Sequence, residues 1–220
     1  MKQWHRRQWL GLLLAAVILP VSAGSYEEFF FAVRNNNGSK VSDLLQRGFD
    51  PNSVDPERGE TGLMIALRSD STRVVDVLLK APNVDLEMRA RNGDTALMTA
   101  AYKADIAAVQ ALLDHKAEVN RPGWTALHYA ASVGANDIVQ LLLDRYAYID
   151  AESPNKTTPI MMAARSGHIL TVKLLLDEGA DVTLKNDAGM TAIDLARKFE
   201  HADIAEGLEW RIKRGSRRVQ

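Results

Sequence analysis

The sequence predicts an all-α solenoid of about six helix–turn–helix repeats, and two observations lead to that fold class. First, similar blocks open at Thr61, Thr95, Thr125, Thr158 and Thr191, at spacings of 34, 30, 33 and 33 residues. Second, the two apolar-faced segments in a block are shorter than the roughly 12 residues that an isolated helix needs to be marginally stable in water. Such units bury their apolar faces against copies of themselves, so the recurrence predicts a stack.

Residues 123–150 show how one unit is built. This stretch contains two apolar-faced segments, Thr125–Ser132 and Asp137–Leu143, and a Val-Gly-Ala break lies between them. Glycine at such a break tolerates the positive φ that a turn between two helices requires. Nothing inside the unit covers the apolar faces of the two segments. The unit is therefore predicted to be two short helices that need neighbouring copies on both sides.

The same positions recur in every block. The residue two after each threonine is apolar, the residue five after it is alanine, and a cluster rich in valine or leucine follows in the central blocks. These residues resemble the ankyrin repeat, a unit of about 33 residues that opens with Thr-Pro-Leu-His. Thr125–His128 and Thr158–Met161 each match this opening in part, and Leu174–Val182 resembles the end of the family's second helix. The resemblance extends from Tyr26 to about Ile212.

The ankyrin resemblance implies one repeat domain at residues 24–214, in which hairpin fingers join successive repeats. The six repeats are predicted at about residues 25–58, 59–92, 93–122, 123–155, 156–188 and 189–214, and a basic C-terminal tail follows at 215–220. The first repeat lacks the threonine, and Gly207 and Glu209 of the last repeat replace Leu174 and Leu176. We therefore expect the two outer repeats to be polar caps. The tail is interpreted as a frayed, solvated terminus, and contact with anionic lipid is the alternative.

Each threonine is predicted to cap the first helix of its repeat, because its hydroxyl can accept an exposed backbone N–H. Paired alanines such as Ala130 and Ala131 are small enough to let neighbouring helices approach closely. One finger departs from this regular pattern. Residues 120–125, which read N-R-P-G-W-T, are three residues shorter than their counterparts. The finger between the third and fourth repeats is therefore expected to be trimmed, and Pro122-Gly123 suits a tight turn there.

The first 23 residues have the layout of a secretory signal peptide. Lys2, Arg6 and Arg7 precede an apolar run at Trp9–Leu19, and a step of small residues ends at Ala23. The run is shorter than the roughly 20 residues that a membrane-spanning helix needs. We therefore predict cleavage after Ala23 and no membrane span afterwards, with an uncleaved membrane anchor as the alternative. The paired arginines also resemble a twin-arginine signal, which is the alternative to the general export route.

The chain contains no cysteine. This excludes disulfides, thiol catalysis and cysteine-ligated metal sites. An exported chain without cysteine fits a bacterial periplasm better than an endoplasmic reticulum, so a periplasmic location is predicted. Removal of residues 1–23 leaves 24 basic against 28 acidic residues. This mildly acidic charge argues against binding to nucleic acid.

The histidines form no catalytic or metal-binding arrangement in the sequence. The ankyrin resemblance places His128 at the end of the Thr-Pro-Leu-His motif and His168 in a Gly-His pair, where imidazoles hydrogen-bond to local loop backbone. His115 and His201 lack carboxylates at a spacing that would complete a metal site. No glycine-rich phosphate loop, nucleophile elbow or HExxH segment is present. We therefore predict no enzyme activity, no catalytic residue, no cofactor and no metal.

The ankyrin resemblance also implies a binding surface, because solenoids bind partners on a concave face. In this family that face takes the residues four and seven after each threonine, together with the finger tips. Tyrosine, tryptophan, methionine and arginine are enriched at protein interfaces. The predicted partner-binding residues are Trp124, Tyr129, Met162, Tyr102, Arg68 and Arg165. The alternative for Tyr129 and Met162 is that they only pack between neighbouring helices.

Together these observations predict an exported, non-enzymatic and monomeric module that binds one or more partner proteins. The alternative is a periplasmic inhibitor or protective factor that regulates one specific enzyme. The same scaffold serves many unrelated partners, so the sequence does not identify the partner.

Overall fold

The computed structural model describes residues 23–216, and this part of the chain contains twelve α-helices. The helices are α1 (Ala23–Arg34), α2 (Gly38–Gln46), α3 (Gly62–Arg68), α4 (Thr72–Leu79), α5 (Ala96–Tyr102), α6 (Ile106–Asp114), α7 (Ala126–Val133), α8 (Asn136–Asp144), α9 (Pro159–Arg165), α10 (Ile169–Asp177), α11 (Ala192–Lys198) and α12 (Ala202–Ser216). The predicted signal peptide, except for Ala23, and residues 217–220 of the predicted tail lie outside the described residues. The helices pair in sequence order, which confirms the predicted all-α architecture of helix–turn–helix repeats.

The helices form two layers. The first helices of the repeats, α1, α3, α5, α7, α9 and α11, contact one another in sequence order. In the second layer α2 contacts α4, and α6, α8, α10 and α12 form a continuous row. The two helices of each repeat also contact each other. Each short helix is thus covered by its partner and by its neighbours, which supplies the stability that its own length cannot.

Alanine and leucine fill the core of the stack at matching positions. The alanines five after each threonine, Ala66, Ala100, Ala130, Ala163 and Ala196, are fully buried. These small side chains let the first helices approach closely, as the sequence predicts. The second helices contribute Leu78, Leu112, Leu142 and Leu175, which are also fully buried. Full burial of each of these leucines contributes roughly 1.5–3 kcal/mol to folding.

Threonine caps form at three of the five predicted positions. The hydroxyls of Thr61, Thr95 and Thr191 accept the backbone N–H three residues ahead at 3.2–3.4 Å. The other two helices open differently. The hydroxyl of Thr125 lies 2.9 Å from Nδ1 of His128. At Thr158 the backbone N–H donates to Sδ of Met161 at 3.4 Å, so the methionine side chain caps the chain there.

Four of the five fingers are closed by a backbone hydrogen bond of 2.9–3.0 Å. The bonds join Asp55 to Glu60, Ala90 to Asp94, Ser153 to Thr157 and Asn186 to Met190. Adjacent fingers also bond to each other: Arg91 N–H donates to the Arg58 carbonyl at 2.9 Å, and Asp187 N–H donates to the Asn155 carbonyl at 3.0 Å. Within the described chain, the finger between the third and fourth repeats has neither kind of bond. Gly123 lies in this finger at φ 93, a conformation that glycine adopts readily.

The last helix closes the stack. α12 contacts α10 and α11, and it buries Ile204 and Leu208 while leaving Gly207 exposed. Arg211 of this helix forms an ion pair with Asp177 at 2.9 Å. The first of the C-terminal basic residues is therefore joined to the preceding repeat.

Candidate partner-binding site

Three of the six predicted partner-binding residues lie side by side. The ring centroids of Trp124 and Tyr129 are 6.4 Å apart, and those of Tyr129 and Tyr102 are 6.0 Å apart. Tyr129 is on α7 and Tyr102 is the last residue of α5, while Trp124 directly precedes the first threonine of its repeat. Tyr102 is 59% exposed, and the other two are half-buried. We refer to Trp124, Tyr129 and Tyr102 as the aromatic corner.

Trp124 packs against the buried imidazole of His128. The two ring centroids are 5.2 Å apart, and the ring planes meet at 77°. Nε2 of His128 lies 2.8 Å from the carbonyl oxygen of Thr157, and Nδ1 lies 3.2 Å from the backbone nitrogen of Thr125. A neutral imidazole satisfies both contacts, because Nε2–H donates and Nδ1 accepts.

Burial lowers the pKa of His128 to about 4, although the backbone carbonyls of Thr157 and Ala151 act in the opposite direction. The imidazole is therefore neutral near pH 7, and it joins the fourth repeat to the fifth. His168 makes a similar link, since its Nε2 lies 3.0 Å from the carbonyl oxygen of Ser132. Both histidines therefore bond to backbone carbonyls, as expected, but the carbonyls belong to a neighbouring repeat and, for His168, to the last turn of α7, so the expected bond to local loop backbone is wrong.

Tyr129 is anchored through its hydroxyl. The hydroxyl donates to Oδ1 of Asp94, in the finger of the preceding repeat. The other carboxylate oxygen of Asp94 accepts a hydrogen bond from Nδ2 of Asn92 at 2.5 Å. Burial raises the pKa of Tyr129, and the hydrogen bond and the charge of Asp94 raise it further. The phenol therefore stays protonated and keeps the ring attached to this finger.

Side chains hold the trimmed finger in place where backbone bonds are missing. The guanidinium of Arg89 donates to the carbonyl oxygen of Gly93 at 3.1 Å and to that of Pro122 at 3.4 Å. Arg121 forms an ion pair with Glu87 at 2.7 Å. The finger that carries Trp124 is thereby tied to the preceding repeat.

The other three predicted residues make different contacts. Arg68 pairs with Glu60. The guanidinium carbon of Arg165 lies 4.9 Å from the ring centroid of Phe199. Met162 is half-buried and packs against the hydrophobic core. No hydrogen bond, ion pair or ring contact within residues 23–216 joins these three side chains to the aromatic corner.

The position four after each threonine is not equally exposed along the stack. Tyr129 and Met162 are half-buried at this position, whereas Ile65 in the second repeat has no exposed surface. α3, which carries Ile65, contacts α1 of the first repeat. The exposed row of such positions therefore does not extend to the second repeat.

Clefts in the described part of the chain also lie away from the aromatic corner. One, of about 930 Å³, is on the first repeat, where Tyr26, Phe30 and Phe31 are among the lining residues. A second, of about 190 Å³, is between the fifth and sixth repeats and is lined in part by Arg165 and Phe199. Arg165 thus belongs to this second cleft, and none of the six predicted residues lines the first.

Asp94 is the main functional candidate that the sequence reasoning missed. An acidic residue before a capping threonine carries no signal of its own. The repeat register could have found the residue, since Asp94 precedes Thr95 by one and Tyr129 follows Thr125 by four in the adjacent repeat. Residues this close to the capping threonines of two adjacent repeats lie on the same side of the stack.

The described residues offer surfaces for binding and no recognisable metal centre. Among residues 23–216, no group of three histidine, cysteine or acidic side chains could hold a metal ion. None of the described helices has the length and apolar character required to cross a membrane.

Comparisons with known proteins identify related repeats along the chain. A family model described as "Ankyrin repeats (3 copies)" matches residues 29–122, 80–153 and 147–210. SH3 and multiple ankyrin repeat domains protein 2 of Homo sapiens is 34% identical over 78% of this chain, and alpha-latrocrustotoxin-Lt1a of Latrodectus tredecimguttatus is 30% identical over 70% of it. A crystal structure of the ankyrin repeat domain of Bcl-3, a member of the IkappaB protein family, superposes with a TM-score of 0.68 and 29% identity, covering 81% of each chain.

These relatives are much longer than this chain. The chain spans 10% of the length of the human relative and 12% of the length of the spider toxin. The segments matched by the family model include all six predicted partner-binding residues.

Proposed function

Because the chain belongs to the ankyrin-repeat family, we propose that it is an exported, non-enzymatic module that binds a partner protein on the concave face of its stack. Ankyrin repeat domains are generally protein–protein interaction modules, and the fold is typically a non-enzymatic scaffold. The observation that carries the proposal is the aromatic corner, which presents Tyr102 to solvent beside the half-buried Trp124 and Tyr129.

The aromatic corner has the properties of an interface anchor. Tryptophan and tyrosine dominate the binding energy of many interfaces because they offer a large contact area at little cost in side-chain entropy. The hydrogen bond to Asp94 fixes Tyr129, and the ring contact with His128 orients Trp124. A surface that is already ordered loses less entropy on binding. This order supports the aromatic corner as the centre of the proposed interface.

We place the remaining predicted residues around this centre. Met162 offers an adaptable apolar side chain in the next repeat. Arg68 and Arg165 already interact with Glu60 and Phe199, so they are expected to contribute less than the aromatic side chains. Partly exposed charges at the rim of an interface are generally worth little.

Export to the periplasm is the second part of the proposal. It rests on the sequence of residues 1–23, and an uncleaved membrane anchor is the alternative. N-terminal sequencing of the native protein tests it. A chain that begins at Gly24 in the periplasmic fraction supports export with cleavage, whereas a chain that begins at Met1 in the cytoplasm contradicts it.

Partner capture tests the proposed interface. We expect the double variant Trp124→Ala with Tyr129→Ala to retain at least tenfold less partner than the parent protein when both are used as bait in periplasmic extract. Tyr148→Ala is the matched control, because Tyr148 is 68% exposed and lies outside the predicted site. Circular dichroism and thermal unfolding would establish that both variants fold.

The capture experiment has two informative outcomes beyond loss of binding. A folded double variant that retains the partner in full contradicts the proposed interface. If the parent protein captures one enzyme in a 1:1 ratio and changes its activity or lifetime, the protein is an inhibitor or protective factor. Several structural partners would instead indicate a scaffold.

A further inference from the structure

We propose that the aromatic corner and Asp94 together bind a positively charged side chain, lysine or arginine, of the partner protein. This inference rests on the proposed function, since it names the chemistry that the partner presents at the same site. Three features of the structure carry it: the orientation of the rings, the state of the Asp94 carboxylate, and the engagement of the chain's own basic residues elsewhere.

The rings of the aromatic corner are tilted against one another and are not stacked. Tyr102 and Tyr129 meet at 87°, and Trp124 and Tyr129 meet at 53°. The faces of tryptophan and tyrosine rings carry partial negative charge and attract cations within about 6 Å of the ring centroid. An edge-to-face pair occupies one ring face and leaves the others uncovered by the partner ring. Because Tyr102 is also 59% exposed, the corner offers open ring surface to a cation.

Asp94 adds a full negative charge to this surface. Its carboxylate accepts hydrogen bonds from the phenol of Tyr129 and the amide of Asn92, both of which are neutral donors. In the described part of the chain, no basic side chain forms an ion pair with it. Three acidic residues in the second and third repeats are by contrast neutralised by a basic partner: Glu60 by Arg68, Asp70 by Lys103, and Glu87 by Arg121.

The chain's own cations near this site are engaged by other groups. Arg89 donates to the carbonyl oxygens of Gly93 and Pro122, and Lys103, the residue after Tyr102, forms an ion pair with Asp70 at 3.0 Å. The negative charge of Asp94 and the ring faces are therefore left for a ligand. An acidic ligand would be repelled by the carboxylate, and an uncharged apolar side chain would make no use of it.

Capped pentapeptides Gly-Ser-X-Ser-Gly, with X as lysine, arginine, norleucine or glutamate, test the chemistry directly. The readout is the indole N–H signal of Trp124 in ¹H–¹⁵N spectra of the whole protein, assigned with Trp124→Phe. We expect the lysine and arginine peptides to shift this signal with a Kd on the order of 1 mM, and the shift to weaken as salt rises. The norleucine and glutamate peptides should leave the signal unchanged. An equal response to norleucine, or no response to any peptide, overturns the proposal.

Asp94→Asn separates charge from shape. The asparagine side chain still accepts the Tyr129 hydroxyl bond, so the ring is expected to stay in place, while affinity for the lysine and arginine peptides should fall about tenfold. Asp70→Asn is the matched control, because the Asp70 charge is already paired with Lys103. Unchanged peptide affinity in Asp94→Asn overturns the proposal.

The two proposals fail in different ways. If the aromatic double variant loses the captured partner while Asp94→Asn keeps it in full, the docking surface stands and the cationic chemistry is wrong. If the lysine and arginine peptides bind to the parent protein but the double variant retains the captured partner, the cation site stands and the proposed interface is wrong.

Discussion

The fourth and fifth repeats have the same backbone plan and present different surfaces. Each has a threonine before its first helix and a left-handed glycine between its two helices, Gly134 at φ 73 and Gly167 at φ 78. The residues three and four after the threonine are His128 and Tyr129 in the fourth repeat, and methionine occupies both positions in the fifth. The fourth repeat also follows the trimmed finger. His128, Tyr129 and the short finger are therefore the features that distinguish the candidate site from the fifth repeat.

The two repeats also differ in how they are joined to their neighbours. His128 reaches forward and bonds to the carbonyl oxygen of Thr157 in the next repeat. Met161, at the matching position, accepts from the backbone N–H of Thr158 in its own repeat. Because solenoid stability is a sum of repeat and nearest-neighbour terms, the His128 bond strengthens one interface specifically.

The largest expected effect is the pH dependence of the free energy of unfolding that arises from His128 in the fourth repeat. The folded protein keeps this imidazole neutral down to about pH 4, whereas burial no longer acts in the unfolded chain, where a histidine takes up its proton near pH 6.5. Since the unfolded state binds the extra proton in this window, the free energy of unfolding should fall as pH is lowered. The loss attributable to His128 is about 3 kcal/mol between pH 7.5 and pH 4.

His128→Met tests this by copying the residue of the fifth repeat. We expect the variant to be less stable at pH 7.5, because the bond to Thr157 is lost, and to show a shallower fall in stability between pH 7 and pH 5. Urea unfolding at several pH values, followed by circular dichroism, gives both quantities. A variant that keeps the full pH dependence of the parent would assign that dependence to other groups.

Glycine variants test a feature that the two repeats share, the left-handed glycine between their two helices. A Cβ at Gly134 would lie 2.7 Å from Nδ1 of His168, and a Cβ at Gly167 would lie 2.6 Å from Cε1 of His201. Gly134→Ala adds an unfavourable left-handed alanine to this clash, so we expect it to lower the free energy of unfolding by about 2 kcal/mol, with a similar effect for Gly167→Ala.

Ala104 supplies the matched control for these glycines. It occupies the same turn in the third repeat with φ 55, and Ala104→Gly is expected to stabilise the protein by about 0.5 kcal/mol, because relief of the backbone strain exceeds the added entropy of the unfolded chain. Chemical denaturation measures all three variants. A loss of only about 1 kcal/mol in Gly134→Ala, the share of the left-handed backbone alone, would show that the His168 ring moves aside without cost.

The shared features of the repeats are predictable from sequence because they recur. The buried alanines, the glycines between helices and the two-layer stack follow from positions that repeat every 30–34 residues. The threonine caps follow only in part. Thr125 and Thr158 have the same local pattern as the other three, and the pattern does not show that His128 and Met161 contact the start of the helix there.

The particular features of the candidate site are less predictable. The sequence identifies Trp124, Tyr129 and Tyr102 by residue type and repeat register, and the structure places them together. It does not reveal that Asp94 accepts the Tyr129 hydroxyl bond, because that contact joins residues 35 positions apart and depends on the geometry of the stack. Nor does residue type alone show that Arg165 is already stacked on Phe199.

The smallest expected effect comes from the turn that follows the second helix, where the two repeats differ again. Tyr146 has φ 64 in the fourth repeat and is 85% exposed, whereas the fifth repeat has Gly179 with φ 99 at the same position. Nothing lies within 4 Å of a Cβ added at Gly179, so only the backbone opposes a side chain there. Gly179→Ala should therefore lower the free energy of unfolding by about 1 kcal/mol, and Tyr146→Gly should raise it by about 0.5 kcal/mol.

We therefore expect Gly179→Ala and Tyr146→Gly to change the stability in opposite directions. Urea denaturation of both variants at pH 7.5 measures the two changes. If Tyr146→Gly is destabilising as well, the Tyr146 side chain must contribute packing that outweighs its backbone strain. Tyr146 would then stabilise the stack at the turn after α8. If the signs differ as expected, Tyr146 is held in a strained turn by the fold around it, in part by the 2.7 Å hydrogen bond from Nδ2 of Asn120 to its carbonyl oxygen.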